Sequence, residues 1–312
     1  MKRVWKLISY LVLGLVSFTF FFYLTFPYEV LKETIVLNAS EATGLNVHIG
    51  ELGPSFPLGV KSESVRIGSS TGNKVQLSKV NISISTFALL LGNLSLHVDL
   101  EDAKKGTFEL NVGISIFDLL KGQYPVWPKS IYLEARAFLF GEIVDFVLKN
   151  QSESPDVNPL VKPLLESVDV DGQLNADVDL SIDSSDLTKS SGTAEIRLTK
   201  TVLKSLNDNL PLPDQIFSKA LIKAKLDKGA LFVDKSSGFV SQDLNIGIGG
   251  KIIQKPQLDK SDLDFNIPIK LGPPLQEQLG IILDAVAQRQ TKGELEIKVT
   301  GALDPGPHIS FL

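Results

Sequence analysis

The chain has no cysteine and no excess of basic residues. Its 312 residues include 31 lysines and arginines against 36 aspartates and glutamates, which gives a net charge of −5. Without cysteine, disulfides, thiol nucleophiles and cysteine-based metal sites are excluded, so stability has to come from burial and hydrogen bonding. A nucleic-acid-binding protein normally carries a basic patch, and no cluster of basic residues occurs after the first six residues. We therefore expect no nucleic-acid partner.

Catalytic motifs are missing as well. The histidines are His48, His97 and His308, and their spacing is not that of a metal site. The glycine-rich stretch 247–250 is followed by a strand-like run, whereas a phosphate-binding loop leads into a helix. No Gly-x-Ser-x-Gly motif occurs. The sequence therefore predicts a protein that is not an enzyme and that holds no metal and no cofactor.

A membrane anchor is predicted at the N-terminus. Twenty uncharged residues run from Leu7 to Phe26, which is the length that a helix needs to cross about 30 Å of hydrocarbon. Lys2, Arg3 and Lys6 precede this run, and the positive-inside rule places that end in the cytoplasm. A cleaved signal peptide is the alternative, but its apolar core is usually only about 7–15 residues long. We expect a single-pass anchor with the bulk of the chain in the periplasm.

The absence of cysteine also bears on the source of the chain. A long eukaryotic chain outside the cytoplasm usually carries disulfides. The predicted anchor and the lack of cysteine together favour the inner membrane of a bacterium.

Helical spacing of apolar residues occurs in few places. Residues 28–43 are predicted to form an amphipathic helix that leaves the membrane, with Gly44 as its C-terminal cap. The segments 86–92 and 115–122 are expected to be short turns between strands. Further helices are predicted at 140–150, 159–166 and 273–290.

Most of the chain alternates apolar and polar residues with the period of two that is typical of strands. The longest such segment, 167–183, has valines and leucines on one face and aspartates on the other. Gly172 is expected to mark a bulge or a bend. A shift of the alternation between Leu77 and Val80 predicts another bulge or a tight turn. The other alternating segments are 45–49, 94–100, 108–116, 262–271 and 294–299.

Strands of this kind belong to antiparallel sheets with one covered and one solvated face. We therefore expect a mainly β fold, in which an N-terminal transmembrane helix is followed by long, curved antiparallel sheet with a few amphipathic helices. The polar stretch 150–159 suggests a boundary. The predicted regions are 1–27 for the cytoplasmic tip and anchor, 28–155 for the first helix and β-sheet region, and 156–312 for a second β-rich region with a late helix.

The few predicted helices are not enough to cover the apolar strand faces, so something else must cover them. Two sheets can close on each other, or one strongly curved sheet can leave a groove that an acyl chain fills. Charged substitutions at Val178 or Ile267 would unfold a closed core, whereas they would only remove the ligand from an open groove. The candidate residues for this face are Val168, Val170, Leu174, Val178, Leu180, Leu263, Phe265, Ile267 and Ile269.

A basic start and an apolar anchor lead into ASEATGLNVHIGELGPSFPLGVKSESVRIG at 39–68, and VQLSKVNISISTFALLLGNLSLHVDLEDAKKGTFELNV follows at 75–112. These segments combine a helix that closes with Thr-Gly, a strand of alternating apolar residues, and a leucine-rich turn followed by Gly and a strand. In these features the first third of the chain resembles AsmA-like envelope proteins. AsmA-like proteins are associated with phospholipid or outer-membrane homeostasis, which implies a lipid-binding role as an alternative.

Further characteristic segments are the SFPLG turn at 55–59, DVDGQLNADVDLSID at 169–183, SGTAEIRLTKTVL at 191–203 and KGALFVDKSSGFVSQDLNIGIGGKI at 228–252. In these segments the remainder of the chain is similar to the type II secretion system protein N (GspN) family. This resemblance implies an accessory component of type II secretion that is anchored in the inner membrane and contacts other secretion components. It carries no known catalytic residues over to this chain.

Overall fold

The computed structural model describes most of the chain. The described residues are 10, 13–14, 17, 20–21, 23, 25–43, 45–56, 58–68, 74–120, 128–152, 168–183, 185–205, 213–255, 257, 260–278, 294–302, 306 and 308–311. The predicted helix 159–166 and the predicted cap Gly44 lie outside them. The predicted helix 273–290 is described only at 273–278, where it is helical.

The predicted anchor falls mostly outside the described residues. Its described members before Phe26 are helical. Within the part of the chain that the structure describes, no helix combines the length and the apolar content needed to span a bilayer. The anchor from Leu7 to Phe26 therefore stays a prediction.

Two predicted helices are confirmed and two expected turns are corrected. Helices α1 (Tyr28–Thr43) and α4 (Gly141–Ser152) form where the apolar spacing places them. The expected turns at 86–92 and 115–122 instead contain the short helices α2 (Thr86–Leu90) and α3 (Ile116–Leu120). The Ser85 hydroxyl oxygen accepts a hydrogen bond of 3.3 Å from the backbone N–H of Ala88, and this cap stabilises the first turn of α2.

The described residues also form nineteen strands. They are β1 (Asn46–Ile49), β2 (Leu52–Ser55), β3 (Leu58–Ser62), β4 (Val65–Gly68), β5 (Lys74–Ile84), β6 (Asn93–Asp102), β7 (Thr107–Ser115), β8 (Ser130–Leu139), β9 (Val168–Ser181), β10 (Ser191–Ser205), β11 (Gln215–Ile216), β12 (Lys219–Asp227), β13 (Ala230–Val233), β14 (Gly238–Val240), β15 (Leu244–Gly247), β16 (Gly249–Ile253), β17 (Asp262–Leu271), β18 (Glu294–Ala302) and β19 (His308–Phe311).

These strands form one antiparallel sheet, much of it a meander, which confirms the mainly antiparallel β prediction. From β5 to β10, each strand pairs with the next one along the chain. The order continues through β12, then β13 with β14, then β16 with β15, and finally β17, β18 and β19. On the other side of β5, β3 and β4 pair with its two halves. The regions predicted at 28–155 and 156–312 share this sheet, because β8 pairs with β9.

The sheet is curved, with its apolar face inside. A Cβ on Gly141 would lie 2.3 Å from the Val170 carbonyl oxygen in β9, while the next residue, Glu142, accepts a 3.2 Å hydrogen bond from the Gln76 backbone N–H in β5. In a flat sheet, strands four positions apart would be separated by about 19 Å. Buried side chains from β4, β5, β8 and β9 accordingly form one cluster, namely Val65, Leu77, Ala135, Phe138 and Ala176, with Ile143 of α4 packed against it.

A bulge in β5 accounts for the predicted shift in its alternation. The register of β5 against β6 shifts between Leu77 and Lys79. The hydroxyl of the intervening Ser78 donates a 2.8 Å hydrogen bond to the backbone carbonyl of Asp102. Because the bulge adds one residue, Leu77 and Val80 both lie on the apolar face.

Both neighbours of β9 have a bulge near Gly172, and bulges of this kind bend a sheet. β9 runs through Gly172 without a break, while the register shifts in β8 between Ala135 and Phe138 and in β10 between Thr199 and Val202. A Cβ at Gly172 would lie 2.8 Å from the ring of Phe140 and 2.9 Å from the Thr201 hydroxyl. The bend therefore requires the absence of a side chain at this position.

Asp102 holds together the end of the sheet at which this bend lies. Its side chain is buried at 2% exposure. One carboxylate oxygen accepts hydrogen bonds from the backbone N–H groups of Lys104 at 2.7 Å and Gly106 at 2.9 Å, and the other accepts one from Leu139 at 2.6 Å. Asp102 therefore joins the β6–β7 turn to the end of β8.

Candidate functional site

One face of the sheet is apolar across its whole width. Residues directly opposite each other in an antiparallel pair lie on the same face, so the register follows this apolar face from strand to strand. One row starts at Ile82 in β5 and passes through Val98, Leu110, Leu133, Val178 and Ala194. The row continues through Ala224, Val233, Gly250, Phe265, Val299 and Ile309. None of these twelve residues has a polar side chain.

The residues predicted for a core or groove lie on this face. Val178 is buried, at 8% exposure. Leu174 and Leu180 in the same strand are half-buried, as are the four predicted residues of β17, namely Leu263, Phe265, Ile267 and Ile269. Val168 and Val170 occupy the same-face positions of β9 opposite Ser205 and Leu203. The structure thus places the predicted residues on one continuous surface, and most of those whose burial is described remain partly open to solvent.

In β3 and β5 the apolar face is covered at one end and more open towards the other. At the end of β5 beside α4, Val75 and Leu77 are 7% and 9% exposed. Towards the other end of the same strand, Ile82 is 39% exposed, and Leu58, which lies opposite Ile84 in β3, is 36% exposed. In β3 and β5 the groove is therefore more accessible towards the end that carries α2 and α3, whereas Ile182 after β9 and Leu226 in β12 are buried at that same end, at 4% and 1% exposure.

The opposite, polar face carries a row of acidic residues that sequence reasoning did not find. The register places one carboxylate on each of the five strands from β6 to β10, each directly opposite the next: Asp99, Glu109, Glu134, Asp177 and Glu195. Like charges directly opposite each other destabilise a sheet. These positions follow no regular spacing along the chain, so strand pairing alone brings them together.

Basic side chains beside the acidic row offset its repulsion. The Arg136 guanidinium lies 2.9 Å from the Glu134 carboxylate and 3.9 Å from that of Asp177. At the end of the row, the Lys223 ammonium lies 2.9 Å from a Glu195 carboxylate oxygen. Exposed ion pairs of this kind each contribute little to stability, so we interpret the row as a balanced, solvated face.

Hydrogen bonds shift the pKa values of two members of the row. A hydrogen bond from Lys223 is the main cause that lowers the pKa of Glu195. A hydrogen bond from the Tyr132 hydroxyl lowers the pKa of Glu134, and the same bond raises the pKa of Tyr132. Both carboxylates therefore favour their ionised form, which is the form that the neighbouring cations stabilise.

The histidines lie apart from one another. His97 is bonded through Nδ1 to the Asn111 amide oxygen, and its Nε2 lies 2.8 Å from the Asp99 carboxylate. His48 lies in β1 and His308 in β19. Among the described residues, no group of three or more histidine, aspartate and glutamate side chains is placed to hold a metal ion.

No protein-family model, curated protein or solved structure matches this chain. The resemblance to AsmA-like proteins and to GspN therefore stays a prediction that depends on the sequence segments quoted for it.

Proposed function

We propose that this protein binds lipid acyl chains along the apolar face of its curved sheet, on the periplasmic side of a bacterial inner membrane. The observation that carries the proposal is the unbroken apolar row across the sheet, most of whose side chains are half-buried. Exposed apolar surface costs about 25 cal/mol per Å² relative to covered surface. A long partly exposed face is therefore stabilised by a ligand that covers it.

The chemistry of the face favours hydrocarbon over other small ligands. Ligand sites usually combine apolar walls with a few polar groups that fix orientation. The row from Ile82 to Ile309 presents methyl, methylene and aromatic groups and no side-chain hydrogen-bonding group. A flexible acyl chain has no hydrogen-bonding group along its length, so an acyl chain is the ligand class that this face fits.

Photo-crosslinking in the membrane of living cells tests the proposal. Successive side chains of a strand point to opposite faces, and β7 offers a matched pair in Leu110 on the apolar face and Glu109 on the polar face. A benzoylphenylalanine photo-crosslinker is placed at either position of the full chain. We expect lipid adducts, identified by mass spectrometry of the purified protein, at Leu110 and not at Glu109. Equal adduct yields at both positions, or none at Leu110, contradict the proposal.

The accessory role in type II secretion is a separate prediction, and it depends on the resemblance alone. In that role the chain contacts secretion components through sheet edges, the polar face or the late helix. Deletion of the gene should then reduce export of secreted proteins. A Leu110→Glu variant distinguishes the two roles, because it removes lipid from the groove and leaves the polar face unchanged. If this variant restores export in the deletion strain, the secretion role does not depend on lipid.

A further inference from the structure

Five strongly exposed apolar side chains lie at the end of the sheet that carries α2 and α3, where the apolar face of β3 and β5 is open. They are Phe56 at 83% exposure, Phe87 at 70%, Leu91 at 63%, Phe117 at 65% and Leu120 at 78%. We call these five residues the apolar rim. Contiguous exposed apolar surface on a protein usually marks a site of interaction with another protein or a membrane.

Strand pairing places the rim residues side by side. Phe56 lies in the β2–β3 turn, two residues before Leu58, which pairs with Ile84 at the end of β5. Helix α2, with Phe87, begins two residues after Ile84. The backbone N–H of Ile116, the first residue of α3, donates a 3.1 Å hydrogen bond to the carbonyl of Gly92 at the end of the α2 turn. The three connections therefore form one end of the β3–β5–β6–β7 part of the sheet.

The predicted membrane anchor reaches the sheet at this same end. The Tyr23 hydroxyl donates a 2.5 Å hydrogen bond to the backbone carbonyl of Ser55, the residue before Phe56. In the described part of that segment, Tyr10, Leu13, Phe20 and Phe21 are between 61% and 73% exposed. The apolar rim is thus continuous with a second exposed apolar surface, and that surface belongs to the stretch whose length and composition fit a bilayer.

We propose that the apolar rim lies in the headgroup–acyl boundary of the leaflet that the N-terminal segment enters, and that the groove opens into this leaflet. Aromatic and leucine side chains of amphipathic surface elements commonly occupy that boundary. In β5 the covered Leu77 then lies at the far end of the groove, and the more open Ile82 lies nearer its mouth at the membrane. The passage of acyl chains through this mouth rests on the proposed function, whereas insertion of the rim does not.

The absence of cysteine from the chain makes a direct test possible, because each engineered cysteine is the sole labelling site. Phe87→Cys and Leu120→Cys carry an environment-sensitive fluorophore in the full chain, which is reconstituted into phosphatidylcholine nanodiscs with or without bromine on the acyl chains. Ile216→Cys and Val147→Cys are matched controls. Their parent side chains are 68% and 54% exposed and lie towards the opposite end of the sheet.

The expected result is a loss of fluorescence in brominated lipid at Phe87 and Leu120, with no loss at Ile216 and Val147. Equal fluorescence in the two lipids at the rim positions overturns the inference. A second copy of the chain covering the rim would shift the emission of the fluorophore to the blue without bromine quenching, and that result overturns it as well.

Substitutions in the rim, combined with the photo-crosslinker at Leu110, test whether the rim is the mouth of the groove. Leu120→Asp together with Phe117→Asp should reduce the yield of lipid adducts at Leu110, and Ile216→Asp should not. An unchanged adduct yield in the double variant overturns the assignment of the rim as the mouth. Quenching at the rim without adducts at Leu110 overturns the proposed function alone, whereas adducts without quenching overturn the rim alone.

Discussion

The carboxylate of Asp102 accepts a 2.6 Å hydrogen bond from the backbone N–H of Leu139, two strands away in the sheet. The same buried side chain also accepts hydrogen bonds from two backbone N–H groups of the β6–β7 turn. Each buried donor that loses its acceptor costs about 1–3 kcal/mol. We therefore expect Asp102→Ala to lower the free energy of unfolding by at least about 3 kcal/mol, measured by urea denaturation of the purified full chain in mild detergent.

The matched control for this change is Asp179→Ala. Asp179 is exposed on the polar face of β9, and substitutions at such positions usually change stability by less than about 0.5 kcal/mol. A similar loss of stability in both variants would mean that the hydrogen bonds of Asp102 do not determine the effect.

Substitution by alanine is expected to destabilise the fold at one glycine and to have almost no effect at another. A Cβ on Gly106 would lie 2.4 Å from the Ala137 carbonyl oxygen and 2.7 Å from the Cα of Phe138. Because backbone atoms cannot move aside cheaply, we expect Gly106→Ala to destabilise the fold by about 1–3 kcal/mol. A Cβ on Gly53 would meet no atom within 4 Å, so Gly53→Ala should leave the urea midpoint nearly unchanged. Equal midpoints for the two variants would contradict the close approach at Gly106.

The pair formed by Glu195 and Lys223 predicts a pH effect. The folded-state pKa of Glu195 is lowered mainly by the hydrogen bond from Lys223. The ionised carboxylate therefore contributes stability above its unfolded pKa, and this contribution is lost as the pH falls through the lower, folded-state value. In Lys223→Gln, the pKa of Glu195 should rise towards its ordinary value, as followed by carboxyl ¹³C NMR during a pH titration. In the control Lys225→Gln, two residues along the same strand, the pKa of Glu195 should stay where it is.

The acidic row predicts that one substitution stabilises the sheet. Glu109 lies directly between Asp99 and Glu134 and is exposed. Removing its charge relieves repulsion on both sides, so Glu109→Gln should raise the free energy of unfolding by about 0.5 kcal/mol or less at low salt. Salt at about 1 M shortens the screening length to about 3 Å and should abolish the gain. Glu63→Gln, in the turn between β3 and β4, serves as the control, and a gain of equal size there would argue against the row.

Local patterns predicted the elements of this fold but not their assembly. The alternation around Leu77 and Val80 predicted a bulge, and Gly172 predicted a bend, because both signals lie within a few neighbouring residues. The acidic row was not predictable, since it depends on the register of five strands separated by connections of different lengths. The covered end of the groove was not predictable either, because it depends on Gly141 and Glu142 contacting strands that are far apart in the sequence.

The short helices beside the rim show a second reason why the sequence did not predict the whole structure. The segments 86–92 and 115–122 are too short for periodicity to separate a turn from a helix. Their exposed Phe87 and Leu120 belong to no core, so the apolar pattern gave no reason to expect them at the surface. The structure shows that these leucine-rich connections end strands at one end of the sheet, and this placement is what suggests a role for them.

The meander has a consequence for how the protein is made. Each strand from β6 to β10 pairs with the strand that was synthesised just before it. Such nearby pairing keeps contact order low for a β protein and favours fast, stepwise folding. In the proposed location, the chain would add hairpins in order as it emerges from a translocation channel, and the strands beside the membrane would form first. Insertion of a further hairpin would enlarge the groove, because each added strand widens the sheet by about 4.8 Å. The rest of the sheet would not have to change.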